Sequence, residues 1–372
     1  MGIILRNRQE REWGLLLIMN KKLALYPMTD DMCSIARYSS LLQGYTLSHS
    51  FVPTFMNLNG ADVCKIDGGE CTGTLLTSYN EIDLDVCDTL YVDYTEKLSN
   101  LSLYQDAIIM AEKMGKEVIL SRELSRKLNL TKESHSNISE NSSDFGYLAE
   151  IGVPVITILS QGVHTGQFAV ELALRKSFSE KGYKVSQIGT QKSSKFFGIS
   201  EFPDFIYENE DVCKKMVRFN HFSNSLIEKE SPDLLIMGVP EPILKYNDKI
   251  LNGLGVTPFV VCNAVRSDLA ILCVYYSEYK NSDFNEMCQN GNYRLDAPIH
   301  FFNIANAALE PNTSSGTIKM QYIDLSSDFV LNNIKEITEI DEYCLFNVLN
   351  TNSFEKAYDA IERKLTDNVQ SI

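Results

Sequence analysis

The chain has 372 residues, which is enough for two or three domains that each bury a core of their own. With 44% hydrophobic and 22% charged residues, it has the composition of a soluble globular protein. Its formal net charge of −15 argues against nucleic acid or an anionic membrane as the main partner, because both attract clustered lysine and arginine side chains.

The N-terminal residues 1–18 are predicted to be an extension ahead of the fold. Their apolar run, Gly14–Met19, is too short to span a bilayer, and Glu10 and Glu12 are unusual in a signal peptide. We expect the fold to begin at Met19.

Residues 19–130 are predicted to form a Rossmann-like α/β domain, because alternating strands and helices are typical of a mostly parallel sheet. Asp31 is expected to cap the first helix. No G-x-G-x-x-G motif occurs, so nothing supports nucleotide binding by this domain. The predicted strands and helices are, in chain order, Leu23–Tyr26, Met32–Leu42 (helix), Ser50–Pro53, Thr89–Val92, Leu103–Met114 (helix) and Val118–Leu120.

Serine and asparagine dominate residues 131–146, which are therefore predicted to be a polar linker. Residues 147–372 are predicted to form a P-loop-NTPase-like parallel-sheet domain that ends in a helix. Asn290–Asn292 is expected to be a turn. The predicted elements are strands at Val155–Leu159, Lys184–Ile188, Asp233–Met237, Phe259–Cys262, Leu269–Val274, Ile318–Ile323 and Cys344–Val348, and helices at Asp211–Lys229 and Phe354–Leu365.

The nine cysteines are scattered and form no C-x-x-C pair, and the five histidines are dispersed as well. No Cys/His spacing matches a tetrahedral zinc site, so the sequence predicts no metal site. An odd, scattered set of cysteines is typical of reduced thiols, so we expect a cytoplasmic protein.

A glycine-containing loop joins the strand Val155–Leu159 to a helix, which is the arrangement of a phosphate-binding P-loop. In the P-loop pattern G-x-x-x-x-G-K-[ST], the lysine contacts the β- and γ-phosphates and the hydroxyl holds magnesium. Here Gln161 replaces the first glycine, Gln167 the lysine and Phe168 the hydroxyl. The free N–H groups at the helix start can still bind an anion. The alternative is an ordinary turn whose N–H groups are capped by Thr165 or water.

The residues predicted to bind a ligand lie in this loop and after the next strand, because ligands of open parallel sheets bind at the carboxyl ends of strands. Lys192 or Lys195 would supply the charge that Gln167 lacks; the alternative is a mobile polar loop. The predicted ligand-binding residues are Gly162, His164, Thr165, Gly166, Gln167, Thr190, Gln191 and Lys192.

No catalytic residue is assigned, and three are candidates. Glu241 follows a strand at the point where P-loop proteins carry an acid that handles magnesium or water. Asp204 is a second acidic candidate, and His164 is a candidate general base. Each has a plain alternative, because an acid after a strand and a histidine in a surface loop are both common.

In the order of these features the chain resembles the P-loop-fold family, formerly of unknown function, that includes D-glutamate N-acetyltransferases. The resemblance rests on the N-terminal α/β domain, the degenerate P-loop, Gly189–Gln191 and Glu241. That family retains the lysine and the hydroxyl of its P-loop, so Gln167 and Phe168 are departures that put nucleotide hydrolysis in doubt.

A second similarity, carried by Lys22–Met28 and Cys87–Val92, is to a clostridial group of peptide maturation system proteins. That resemblance implies a role beside a radical-SAM enzyme and a small precursor peptide, in the modification of a natural-product peptide. It implies no defined reaction.

The sequence leaves three functions open. The first is an accessory or ligand-binding protein of a ribosomal-peptide maturation system. The second is a nucleotide- or acyl-donor-dependent transferase or ligase that acts on a small amino-acid or peptide substrate. The third, a purely structural partner of another enzyme, would be favoured by a closed or apolar cleft between the domains. The cofactor is undetermined, although a nucleotide or other phosphate-bearing ligand suits the loop. The sequence leaves open whether the chain forms a homo-oligomer.

Overall fold

The computed structural model describes six parts of the chain, which are residues 20–79, 84–95, 98–130, 147–312, 319–334 and 343–369. The predicted extension 1–18 and the predicted linker 131–146 lie outside the described residues. Within the described parts, no helix combines the length and the apolar character that a membrane crossing requires.

The first half of the chain forms a parallel sheet of five strands. These are β1 Lys21–Tyr26, β2 Tyr45–Val52, β3 Leu76–Ser78, β4 Thr89–Val92 and β5 Glu117–Leu120. The helices of this half are α1 Asp30–Arg37, α2 Cys64–Asp67, α3 Leu101–Lys113 and α4 Arg122–Lys127. The strand order is β3-β2-β1-β4-β5 with every pair parallel, which is the order of a Rossmann-like sheet and confirms that prediction.

The second half forms a seven-stranded sheet. Its strands are β6 Val155–Ser160, β7 Val185–Gly189, β8 Ser200–Glu201, β9 Leu234–Gly238, β10 Leu269–Val274, β11 Ile299–Ile304 and, later in the chain, β14 Cys344–Phe346. They are parallel and lie in the order β14-β11-β10-β6-β9-β7-β8. A separate antiparallel hairpin consists of β12 Ala307–Asn312 and β13 Lys319–Asp324.

The helices of the second half pack on its sheet. They are α5 Gln167–Glu180, α6 Val212–Glu230, α7 Thr257–Ala264, α8 Asn281–Leu295, α9 Ser327–Ile334 and α10 Thr351–Val369. Apolar clusters lie on both faces of this sheet. Every residue of the central strand β6 is buried, as expected for a parallel strand covered on both sides. The predicted α/β class with a P-loop-like parallel sheet is therefore confirmed.

Three local predictions were wrong. Phe259–Cys262 belongs to α7 rather than to a strand, since Pro258 occupies the first turn of a helix there. Asn290–Asn292 lies inside α8 rather than in a turn, and its glycine lets the helix approach β11 closely. Asp31 lies in the first turn of α1, whose cap is Thr29: the Thr29 hydroxyl accepts the N–H of Met32 at 3.3 Å.

An apolar cluster joins the two halves of the chain. It combines side chains of the first sheet and α1 with Phe168 and Leu172 of α5 and with Phe196, Phe197 and Ile199, all of which are buried. Phe168 packs edge-on against Phe197 at a ring-centroid distance of 5.9 Å. The apolar surface that these side chains bury holds α5, and hence the loop before it, against the first half of the chain.

Polar contacts also join the two halves of the chain, through residues at and just after the end of α2. The guanidinium of Arg37 on α1 makes a bidentate pair with Asp67, with both N···O distances 2.6 Å. The backbone carbonyl of Asp67 accepts a hydrogen bond from the amide of Asn306, which follows β11. The carboxylate of Glu70 accepts hydrogen bonds from Asn350 and Thr351 at the start of α10. The segment after α2 is therefore a contact surface for the second half of the chain.

Candidate functional site

The carboxyl ends of β6, β7 and β9 surround a cavity of about 210 Å³ next to the start of α5. It lies where the sheet's strand order makes a crevice, the usual position of a ligand in an open parallel sheet. Most of the predicted site residues line it together. They are Gly162, His164, Thr165, Gln167, Thr190, Gln191 and Glu241.

Gly166 lines a second, smaller cavity of about 40 Å³ between α1 and the second sheet. His164 and Asp31 line both cavities, so the two spaces share a wall. Asp31 was interpreted from the sequence as a helix cap. Its position after the first strand was a signal for a place at the cavity, because ligands of open parallel sheets bind at the carboxyl ends of the strands.

Two predicted residues are not among those that line either cavity in the described part of the chain. Lys192 begins a short 3₁₀ helix, Lys192–Phe197, after β7. Asp204 forms an ion pair with Arg122 of α4, at 3.3 Å, across the joint between the two halves. The structure therefore places Asp204 at a contact between the two halves of the chain.

The phosphate loop, residues 160–166, is held by hydrogen bonds from distant parts of the chain. The side-chain oxygen of Gln161 accepts the backbone N–H of Tyr275 and the hydroxyl of Tyr279, each at 3.1 Å. The Tyr275 hydroxyl donates to the carbonyl of Val163 at 2.8 Å, and the Asn303 amide donates to the loop at 3.0 Å. These contacts hold the loop in place through side chains of the protein itself.

Gln167 occupies the position of the P-loop lysine and points back into the sheet. Its side-chain amide donates to the carbonyl of Ile158 in β6 and to the carbonyl of Val239 after β9, each at 2.9 Å. A neutral amide that bridges two strand ends supplies no charge to a phosphoryl group. The replacement of the lysine by glutamine was visible in the sequence. The hydrogen bonds of that glutamine to two strand ends are seen only in the structure.

The start of helix α5 has no side-chain cap. Its cap residue, Gly166, has a φ of 74°, in the left-handed region that favours glycine, and no side chain caps the helix. The alternative in which Thr165 caps the helix is not what the structure shows, because the Thr165 hydroxyl donates to the carbonyl of Gly162 at 2.9 Å. The helix start thus offers backbone N–H groups and a positive dipole end to an anionic group.

His164 links the loop to the first half of the chain. It has a φ of 60°, and its Nδ1 lies 3.5 Å from a carboxylate oxygen of Asp30. Its ring packs edge-on against Tyr322 of β13, with centroids 4.7 Å apart. A left-handed backbone conformation in a residue other than glycine is held only by such surrounding contacts.

Glu241 lines the cavity but uses part of its carboxylate elsewhere. Its Oε2 accepts the backbone N–H of Thr257, the first residue of α7, at 3.0 Å. Its backbone is also left-handed, with a φ of 69°. The carboxylate therefore stabilises the start of α7 as an N-terminal acidic group does, which is a structural role beside any role in the cavity.

Carboxylates outnumber cations at this site. Asp31 and Glu241 face the larger cavity, and among the described residues that line it none is a lysine or an arginine. Behind the loop, burial raises the pKa of Glu171 on α5 to about 8, and a hydrogen bond from Gln187 offsets this only in part. The site therefore combines N–H donors at one wall with acidic side chains at another.

No model of a known protein family matches the chain, and no curated protein is significantly similar to it. Among solved structures, the chain is similar to a DUF1611 family protein from Anabaena variabilis, with a TM-score of 0.55 and 10% identity over 94% of this chain and 100% of that protein. A nucleotide-binding protein from Archaeoglobus fulgidus, solved in complex with ADP, aligns with 54% of this chain and 84% of that protein, at 11% identity and a TM-score of 0.31. The first similarity covers nearly the whole chain and shows that the fold recurs.

Proposed function

We propose that this chain is a ligand-binding protein on a P-loop-type fold and that it does not hydrolyse nucleotides. The observation that carries the proposal is the anchoring of the Gln167 amide to the carbonyls of Ile158 and Val239. Phosphoryl transfer depends on positive charge that neutralises the transferring group. At this position the side chain is neutral and already bound.

The two walls of the cavity favour a small ligand that carries both charges. The start of α5 offers N–H donors to an anionic group, and Asp31 offers a carboxylate to a cationic group. An amino acid or a peptide terminus has a carboxylate and an ammonium group a few bonds apart. The volume of about 210 Å³ suits a ligand of that size better than a nucleotide.

A role as an accessory protein of a ribosomal-peptide maturation system follows from the similarity carried by Lys22–Met28 and Cys87–Val92. A site for an amino acid or a peptide terminus would let the protein hold a precursor peptide beside a radical-SAM enzyme. The test of this role is co-purification of the tagged protein with those two partners. If neither partner co-purifies, the proposed role in peptide maturation is contradicted, whereas the proposed ligand site is not.

Isothermal titration calorimetry tests the ligand class directly. We expect no saturable heat with ATP, GTP, acetyl-CoA or phosphate, with or without magnesium, and saturable heat with at least one amino acid or short peptide. Asp31→Asn should weaken that binding by roughly tenfold or more, because a charge-assisted contact is lost. Asp85→Asn is the matched control, since the Asp85 side chain is 78% exposed and lies outside the cavity.

The transferase or ligase alternative has a distinct signature in the same experiment. A saturable response to ATP or acetyl-CoA that is weakened by Gly166→Asp would show a functional phosphate site at the start of α5, because the new carboxylate repels phosphate there. That result would overturn the proposal of a non-hydrolysing binding protein.

A further inference from the structure

We propose that Asp62, Cys64 and Cys71 form a binding site for a soft divalent cation of the zinc class, separate from the phosphate-loop cavity. One carboxylate oxygen and two sulfur atoms from these residues all lie within 4.8 Å of one another. Ligand atoms bound to one such ion, at about 2.0–2.3 Å, lie roughly 3.3–3.8 Å apart. Binding therefore requires the ligand atoms to approach one another by at most roughly 1.5 Å.

The backbone around the cluster is already arranged for a ligand set. The Asp62 carboxylate accepts the N–H groups of Cys64 at 2.9 Å, Thr72 at 3.2 Å and Gly73 at 2.7 Å. These bonds bring the chain that follows α2 back to the start of that helix. A carboxylate offers about four lone-pair positions, so three N–H donors leave one for a cation.

The two thiols share the same small space. The Cys64 and Cys71 sulfur atoms lie within 4.8 Å of each other and of a carboxylate oxygen of Asp62. A divalent cation would take the place of the two thiol protons, which pass to solvent as two sulfur–metal bonds form. The cluster then carries three negative ligand charges and two positive charges, so its net charge of −1 is the same as with two protonated thiols and an ionised carboxylate.

The accessibility of the cluster suits an open coordination position. Cys64 is buried and Cys71 is exposed, so solvent reaches the cluster from the side of Cys71. Thiolate ligands select soft or borderline cations, whereas magnesium and calcium prefer oxygen ligands. Three protein ligands leave a fourth tetrahedral position for water or for a group from another molecule.

The sequence spacing D-x-C-x₆-C hides this cluster from a search for paired cysteines and histidines, because one ligand is a carboxylate and six residues separate the two cysteines. The same loop contains Glu70, which contacts the start of α10. A cation bound at Cys71 would therefore stiffen a segment that joins the two halves of the protein.

Cadmium titration of the reduced, chelator-treated full-length protein tests the proposal, because cadmium–thiolate bonds give an ultraviolet charge-transfer absorption. We expect saturation at one equivalent and displacement of cadmium by zinc. Cys71→Ser should weaken binding roughly tenfold or more, because a hydroxyl is a much poorer ligand for a soft cation. Cys213→Ser, at an exposed cysteine elsewhere, should bind like the wild type.

Circular dichroism is the control for folding of the Cys71→Ser variant, which we expect to be folded because Cys71 is exposed. Absence of a saturable charge-transfer signal in the wild type would overturn the proposal. Undiminished binding by Cys71→Ser would also overturn it. A disulfide between Cys64 and Cys71 in the protein as isolated, detected by mass spectrometry, would assign the two thiols to redox chemistry instead.

Discussion

Glu171 makes the stability of this protein depend on pH in a predictable direction. It is fully buried on α5 beside Gln187 and Gly238, and burial raises its pKa from 4.5 to about 8. Between these two pH values the side chain is ionised in the unfolded chain and protonated in the folded one. The stabilising contribution is therefore complete below pH 4.5 and is lost as pH rises towards about 8. At about 1.4 kcal/mol per pKa unit, the loss amounts to at most roughly 5 kcal/mol.

Glu171→Gln removes this titration and keeps a side chain of similar size that can still accept the hydrogen bond from Gln187. We expect the free energies of unfolding in urea to differ by less than about 1 kcal/mol at pH 5 and to favour the variant by roughly 3–5 kcal/mol at pH 9. Glu180→Gln, at an exposed position of the same helix, should follow the wild type at every pH. A Glu171→Gln curve parallel to that of the wild type would refute a neutral buried acid.

Four further substitutions test the contacts described above by urea unfolding. Arg37→Ala leaves the buried carboxylate of Asp67 without its partner and should cost about 3–5 kcal/mol. Lys21→Ala, at an exposed pair, should cost less than about 1 kcal/mol, and equal losses in these two variants would contradict the role of burial. Gly166→Ala forces a Cβ into a backbone with a φ of 74° and should cost roughly 1–2 kcal/mol. Tyr275→Phe removes a hydrogen bond to the phosphate loop and should cost about 1 kcal/mol, with faster proteolysis of that loop.

The strands that build the site could be located from the sequence because they are short, continuous apolar runs. The predicted strands Val155–Leu159, Lys184–Ile188 and Asp233–Met237 agree with β6, β7 and β9 to within one residue at each end. Their parallel arrangement then placed Thr190 and Glu241 at the same sheet edge as the phosphate loop, and both line the cavity. The prediction of a strand at Phe259–Cys262 was wrong because periodicity alone does not distinguish a buried strand from a buried helix.

The hydrogen bonds that hold the loop and occupy the Gln167 side chain could not be predicted from the sequence. Gln161 is bound by residues more than 110 positions later in the chain, and no local pattern encodes that pairing. The bridging role of Gln167 depends on the positions of two strand ends, which are known only once the sheet is assembled. Asp204 looked like any acid near a strand, and its partner Arg122 lies on helix α4 in the other half of the chain.

The apolar cluster between the two halves also has a consequence for synthesis on the ribosome. The face of the first sheet is covered by Phe168, Leu172 and the segment Phe196–Ile199, which emerge only after the whole Rossmann-like region has been made. Until then the nascent chain presents an uncovered apolar surface, which is prone to aggregation and attracts chaperones. A fragment that stops at residue 130 is therefore expected to aggregate. A fragment that extends past residue 200 includes the side chains that cover this apolar face and is expected to stay in solution.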